Sequence, residues 1–162
     1  MMFLSKSLLF ALFASYATTA IAAGKIYYGS RAGMTVTVVS MSGINGERAT
    51  IRTKHTKDDA MAFCREYVGK VTAKCVQEEL NTALNDEIVA NCATGRFTNF
   101  YGEEHQFLGE NKSKSDDVAA KYKIKNIATG KIADASSASG YPTNMGIFKA
   151  LCPLKAPPDD GY

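Results

Sequence analysis

Residues 48–76 read RATIRTKHTKDDAMAFCREYVGKVTAKCV, and the pattern changes partway through. From Arg48 to Lys54 the chain alternates. Ala49, Ile51 and Thr53 fall on one side, and Arg48, Thr50, Arg52 and Lys54 on the other. Period two predicts a half-buried strand with a basic outer face. Beyond Thr56 the apolar positions Ala60, Phe63, Cys64, Tyr67, Val68 and Val71 recur at helical spacing. Cys75, Val76, Leu80 and Leu84 continue the series, which predicts an amphipathic segment laid on a core. Thr56 supplies an N-cap hydroxyl and Asp58-Asp59 place acids in the first turn. A strand feeding a helix in so short a stretch predicts the α+β class. The expected fold is a small antiparallel sheet with one helix, or a disulfide-clipped helical hairpin, packed on it.

The cysteines choose between helix and hairpin. There are four, Cys64, Cys75, Cys92 and Cys152. Their reading depends on the N-terminus. Residues 1–7 carry one charge, Lys6; residues 8–17 are largely apolar; Ala20-Ile21-Ala22 is the small-x-small pattern of signal peptidase sites. Residues 1–22 therefore read as a secretory signal peptide, with the mature chain starting at Ala23. The apolar run is shorter than the roughly 20 residues a membrane span needs. In a periplasmic or secreted protein an even cysteine count reads as disulfides. No pair is spaced C-x-x-C, and His55 and His105 lie far from finger-like spacing, so zinc and redox readings are weak.

Two residues eleven apart on one unbroken helix are separated by about 16 Å, whereas a disulfide needs Cα atoms within about 7 Å. Pairing Cys64 with Cys75 thus requires a break between them, for which Gly69 and a second cap at Thr72 are available. Cys92–Cys152 would then tie the tail to a strand. The rival connectivity sends Cys64 and Cys75 separately to Cys92 and Cys152 and keeps one long helix.

Elsewhere, strands are expected at 34–41, 87–92, 96–101, 105–108 and 121–125, with 131–133 as a hairpin partner for the last. Asn45-Gly46 is a strong hairpin turn signal. Residues 24–33 read as a loose arm, 112–117 as a flexible loop, and 153–162 as an extended tail. One domain, residues 23–152, is expected. Thr143 would cap a short helix through Leu151. Asn91-Cys92-Ala93-Thr94-Gly95-Arg96 echoes Asn126-Ile127-Ala128-Thr129-Gly130-Lys131, which suggests two similar hairpins with glycine at positive φ.

Composition narrows function by exclusion. The formal charge is +3, and removing residues 1–22 takes away Lys6 and no acid. Basic and acidic residues are interleaved, unlike the basic stripe of a nucleic-acid binder. The hydrophobic fraction of 46% argues against disorder. No phosphate loop, dinucleotide fingerprint, calcium loop or nucleophile elbow occurs. Catalytic residues, metal ligands and cofactors are therefore not assigned. On a strand, Phe97, Asn99 and Tyr101 share a face, and Glu103 shares one with His105. Phe97, Tyr101 and His105 are the candidate binding residues. The expected function is a small exported, non-enzymatic envelope protein, a binding or structural module for an envelope component. The alternatives are an exported hydrolase using His55 or His105 with a nearby carboxylate, and an inhibitor offering a disulfide-braced loop to a secreted enzyme.

Overall fold

The computed structural model describes residues 24–112, 120–133 and 135–158. The expected signal segment, most of the expected loop at 112–117 and the end of the expected tail lie outside them. Seven strands form one antiparallel sheet in chain order: β1 (Lys25–Tyr27), β2 (Thr35–Ser42), β3 (Ala49–Lys54), β4 (Glu87–Asn91), β5 (Arg96–Thr98), β6 (Glu104–Glu110) and β7 (Tyr122–Asn126). A helical hairpin, α1 (Lys57–Glu66) and α2 (Ala73–Leu80), is inserted between β3 and β4. A third helix, α3 (Tyr141–Leu151), follows the sheet. The mixed α/β character agrees with the sequence, but the sheet is larger and carries more helices than a small sheet with one helix or hairpin.

One sheet face is the core side. Val36, Val38, Ala49, Ile51, Ile88, Ala90, Phe97, Phe107 and Ile124 are buried there with Met145, Ile147, Phe148 and Leu151 of α3. The Phe148 ring lies 4.6 Å from that of Phe107 and 5.4 Å from that of Phe97. The outward positions are mostly polar, with Val89 and Leu108 as exceptions, and Arg52 on β3 meets Glu87 on β4 at 2.8 Å. A bulge between Val38 and Ser40 turns Val39 outward, interrupting the alternation of β2.

The cysteines pair as Cys64–Cys75 and Cys92–Cys152, with Cα separations of 6.1 and 5.5 Å. The helix breaks where the first pair needs it to. α1 ends at Glu66, Gly69 turns the chain at φ +80°, and the Thr72 hydroxyl accepts from Cys75 N to start α2. At the start of α1 a full capping box is present, with Asp59 returning a bond to Thr56 N. Ending the helix there corrects one expectation. Tyr67, Val68 and Val71 leave the apolar face and stand exposed.

The supposed arm at 24–33 contributes β1, too short to show a period, and a tight loop into β2. There Tyr28 N donates to Met34 O at 3.0 Å. The strand expected at 96–101 stops at Thr98, because Asn99 Oδ1 captures the amides of Tyr101 and Glu103, both at 3.0 Å. Residues 131–133 make only a single bridge, Ile132 to Lys125. α3 starts two residues ahead of Thr143, with Gly140 at its N-cap and Pro142 in its first turn. The described part of the tail is folded back. Pro157 is buried, and Leu154 N donates to Asn45 Oδ1 at 2.8 Å. Asn45, in the β2–β3 turn at φ +68°, also gives its own amide to Leu151 O at 3.0 Å. The end of α3 and the turn after β2 are thus one junction.

The two echoing segments match at the level of individual bonds. Asn91 Oδ1 accepts from Thr94 N and Asn126 Oδ1 from Thr129 N, each at 3.0 Å. Gly95 and Gly130 follow at φ +77° and +70°. Shared turn chemistry accounts for the echo.

Chain closure and close approach each carry a prediction. Replacing Cys92 and Cys152 by alanine removes a 60-residue linkage, against 11 for Cys64 and Cys75. The expected losses are about 4 and about 3 kcal/mol in the chain-entropy model. Urea unfolding of both double variants tests the order, which a larger loss for the short loop would reverse. An alanine Cβ at Gly33 would sit 2.6 Å from the Phe63 backbone, whereas at Gly69 it meets open space. Both glycines have positive φ, so each substitution carries a left-handed cost of about 1–2 kcal/mol. Gly33→Ala is expected to lose clearly more than Gly69→Ala. Equal losses would remove the close approach of the β1–β2 loop to α1 as the cause.

Candidate functional site

Three segments meet at one end of the sheet. Tyr28 leaves β1, the Asn99–Glu103 turn joins β5 to β6, and residues 139–144 open α3. With the turn after β7 they enclose a cleft of about 460 Å³. Its lining includes the neutral polar residues Thr143 and Asn144, and Asn99, Asn126 and Ser139, whose side chains already bond within the protein, together with the charged Glu103 and Lys131. The Tyr28 and Tyr101 rings stand edge to face, 6.4 Å apart. Tyr28 is buried, whereas Tyr101 is 50% exposed and presents its ring to solvent.

His105 lies on the cleft wall, almost fully buried, with its ring stacked on Phe97 at 5.5 Å. Asn99 Nδ2 donates to Glu103 Oε2 at 2.7 Å and lies 3.2 Å from His105 Nε2. An amide N–H facing that nitrogen makes it an acceptor and puts the ring proton on Nδ1. Burial lowers the His105 pKa, and the Glu103 carboxylate, 3.5 Å away, pulls the other way without prevailing. The imidazole is therefore held neutral, with its acceptor lone pair directed at Asn99. That arrangement orders the turn carrying Tyr101.

Of the three candidate binding residues, Tyr101 and His105 line the cleft. Phe97 lies in the core beneath His105. Sequence reasoning does not single out Tyr28, Asn99 or Asn144 as binding residues. Asn99 has one available signal, an asparagine three residues ahead of a glycine, which is turn chemistry. Tyr28 has none, since β1 is three residues long.

Behind Tyr28 lies a second cluster. The Tyr28 hydroxyl donates to Glu79 Oε1 on α2, and this carboxylate is buried. Burial raises the Glu79 pKa. His55 Nε2 is 3.8 Å from Glu79 Oε1, and neither ring nitrogen of His55 has a hydrogen-bond partner among the described residues. Burial lowers the His55 pKa, partly opposed by the Asp59 charge. Asp59 is fully buried too. Burial pushes its pKa up, but bonds from Lys25, Thr56 and Thr37 outweigh that and hold the carboxyl below its ordinary range. Asp59 thereby ties β1, β2 and α1 together.

A larger concavity, about 830 Å³, lies on the polar face of the sheet. Its charges are matched between strands, Arg52 to Glu87 at 2.8 Å and Arg96 to Glu104 at 3.3 Å. Among the described residues no group of three His, Cys, Asp or Glu side chains is placed to hold a metal ion, and no helix is long and apolar enough to cross a membrane.

The two lowered histidines set a pH dependence. The folded state keeps both rings neutral, so the unfolded chain takes up protons first as pH falls below about 6.5. Their contribution is fully present above that pH and is lost on acidification. Glu79, raised in the folded state, acts in the opposite sense and offsets part of the loss. Unfolding midpoints are expected to fall between about pH 7.5 and pH 5.5, and less so in His105→Gln, which keeps an acceptor for Asn99. An equal fall in both proteins would show that His105 is not held neutral. Comparison with known proteins finds no matching family model, no matching curated protein and no matching solved structure.

Proposed function

We propose that this chain is a small exported, non-enzymatic protein of a bacterial envelope that binds an uncharged polar ligand of the short-glycan class. Export is supported by the signal-like residues 1–22 and by two disulfides, which are compatible with an oxidising compartment. Binding is supported by one observation above the others. The Tyr28–Tyr101 pair borders a cleft in which half of the other lining residues carry a side-chain amide or hydroxyl. An aromatic ring packs the apolar face of a sugar, and neutral donors and acceptors match its hydroxyls without desolvating a charge. Glu103 and Lys131 carry opposite charges and give the cleft no net preference for an ion. His105 orders this cleft as a neutral acceptor and supplies no proton there.

A second reading, an exported hydrolase, is favoured by Glu79. A buried carboxyl with a raised pKa beside His55 and Tyr28 has the character of a general acid. It sits behind Tyr28 and is not among the residues lining the cleft, which ranks it second.

Titration with maltose, cellobiose and chitobiose, followed by backbone amide resonances, separates these readings. At least one sugar is expected to shift Asn99, Tyr101 and Asn144. Tyr101→Ala, at a half-exposed position, is expected to fold normally and to weaken that binding by about tenfold through loss of ring contact. No shift with any of the three sugars would sink the glycan reading. Release of new reducing ends, abolished in Glu79→Gln, would put the hydrolase in its place.

A further inference from the structure

We propose that the tip of the α1–α2 hairpin is a membrane-surface anchor that sets Tyr67, Val68 and Val71 into the headgroup layer of an anionic bilayer. This surface is separate from the cleft, and the proposal does not depend on the ligand bound there. Every residue from 65 to 71 is exposed. Tyr67, Val68 and Val71 are 49%, 52% and 45% exposed, although their sequence spacing fits a buried helix face. Three large apolar side chains within five residues of one turn form a localised apolar patch, unlike scattered exposed residues.

The tip is held in shape before it meets anything. Cys64–Cys75 closes its base with Cα atoms 6.1 Å apart. Tyr67 stacks on Phe63 at 5.4 Å, and the Arg31 guanidinium lies 4.7 Å from the Tyr67 ring centroid. An alanine Cβ at Gly69 would touch nothing, so the apex is open to solvent.

Two observations favour a lipid surface over the cleft of another protein. The first is charge. Lys74 and Glu78 pair with each other at 3.7 Å and cancel, which leaves Arg31, Arg65 and Lys70 around the tip against Glu66. Basic residues around an apolar tip suit an anionic headgroup layer, with tyrosine at the boundary. The second is the backbone. Tyr67 N and Val68 N donate to Phe63 O, and Lys70 N to Cys64 O. Amides bonded internally enter a poorly hydrated layer at lower cost. The same bonds turn the chain inward, so it lacks the extended, unpaired backbone with which a peptide adds to a sheet edge in a partner.

The chain contains no tryptophan, which gives a clean optical test on the full-length protein. Val68→Trp puts a single reporter at the tip, and Leu154→Trp puts one at an exposed site in the C-terminal turn. Protein-free vesicles of phosphatidylcholine with phosphatidylglycerol are expected to shift the indole emission of the Val68→Trp protein to the blue and leave that of the Leu154→Trp protein unchanged. Pure phosphatidylcholine vesicles are expected to shift neither. In co-sedimentation of the tryptophan-free protein with the anionic vesicles, Val68→Ser combined with Val71→Ser is expected to raise the lipid needed for half-binding by about tenfold. Because both proteins keep residues 1–22, the difference belongs to the tip. Unchanged unfolding midpoints establish that the variants are folded. No shift of the tip reporter with anionic vesicles would overturn the proposal. A shift of the tip reporter that requires an added protein would assign the tip to a protein partner instead.

Discussion

Phe148, packed between Phe97 and Phe107, is the contact on which the architecture depends. A seven-strand meander has two faces and two edges, and its short β1 and β5 cannot hold register by backbone bonding alone. Something must cover the apolar face. In this chain α3 does so, reaching β1, β3, β4 and β7. Each ring buried there adds hydrophobic stabilisation of about 1.5–3 kcal/mol. The same helix supplies one wall of the cleft through its first turn. Core packing and site geometry are therefore set by a single element, and a shift of α3 moves Asn144 relative to Tyr28 and Tyr101.

Legibility in the sequence follows the strength of the local signal. The switch from alternation to helical spacing at Thr56 marks β3 and α1 within a residue or two, because a cap and a period coincide there. Asn45-Gly46 and the two Ala-Thr-Gly turns are legible because glycine and asparagine leave few backbone options. The break at Gly69 is legible only through the disulfide constraint, since the apolar spacing runs straight through it. β1 is not legible, being too short for a period and recruited by β2. The end of β5 escapes a reading by pattern because the Asn99 side chain, not the backbone alternation, stops the strand. In the candidate site, Tyr101 and His105 can be named from sequence, but their common cleft cannot. It is assembled by Tyr28 and Asn144, more than a hundred residues apart along the chain.

The titratable groups near the cleft divide by how they are balanced. Asp59 is buried with enough donors to stay ionised. Glu79 is buried with one tyrosine hydroxyl and a neutral histidine nearby, and its charge is opposed by its surroundings. The first behaves as a rivet between β1, β2 and α1. The second is an uncompensated acid that ties the helical hairpin to the sheet through Tyr28.

The junction at Asn45 has a temporal side. Its amide and side chain meet Leu151 and Leu154, over a hundred residues later, so the meander is synthesised with its apolar face open. The α1–α2 clip joins neighbours and forms from local encounters, whereas the Cys92–Cys152 bond must wait for the last helix. Contacts so distant along the chain are slow to form by diffusion. The first bond is thus ready early, and the second acts as a seal on completion. Truncation just before α3 would leave Cys92 without its partner and exposed to mispairing.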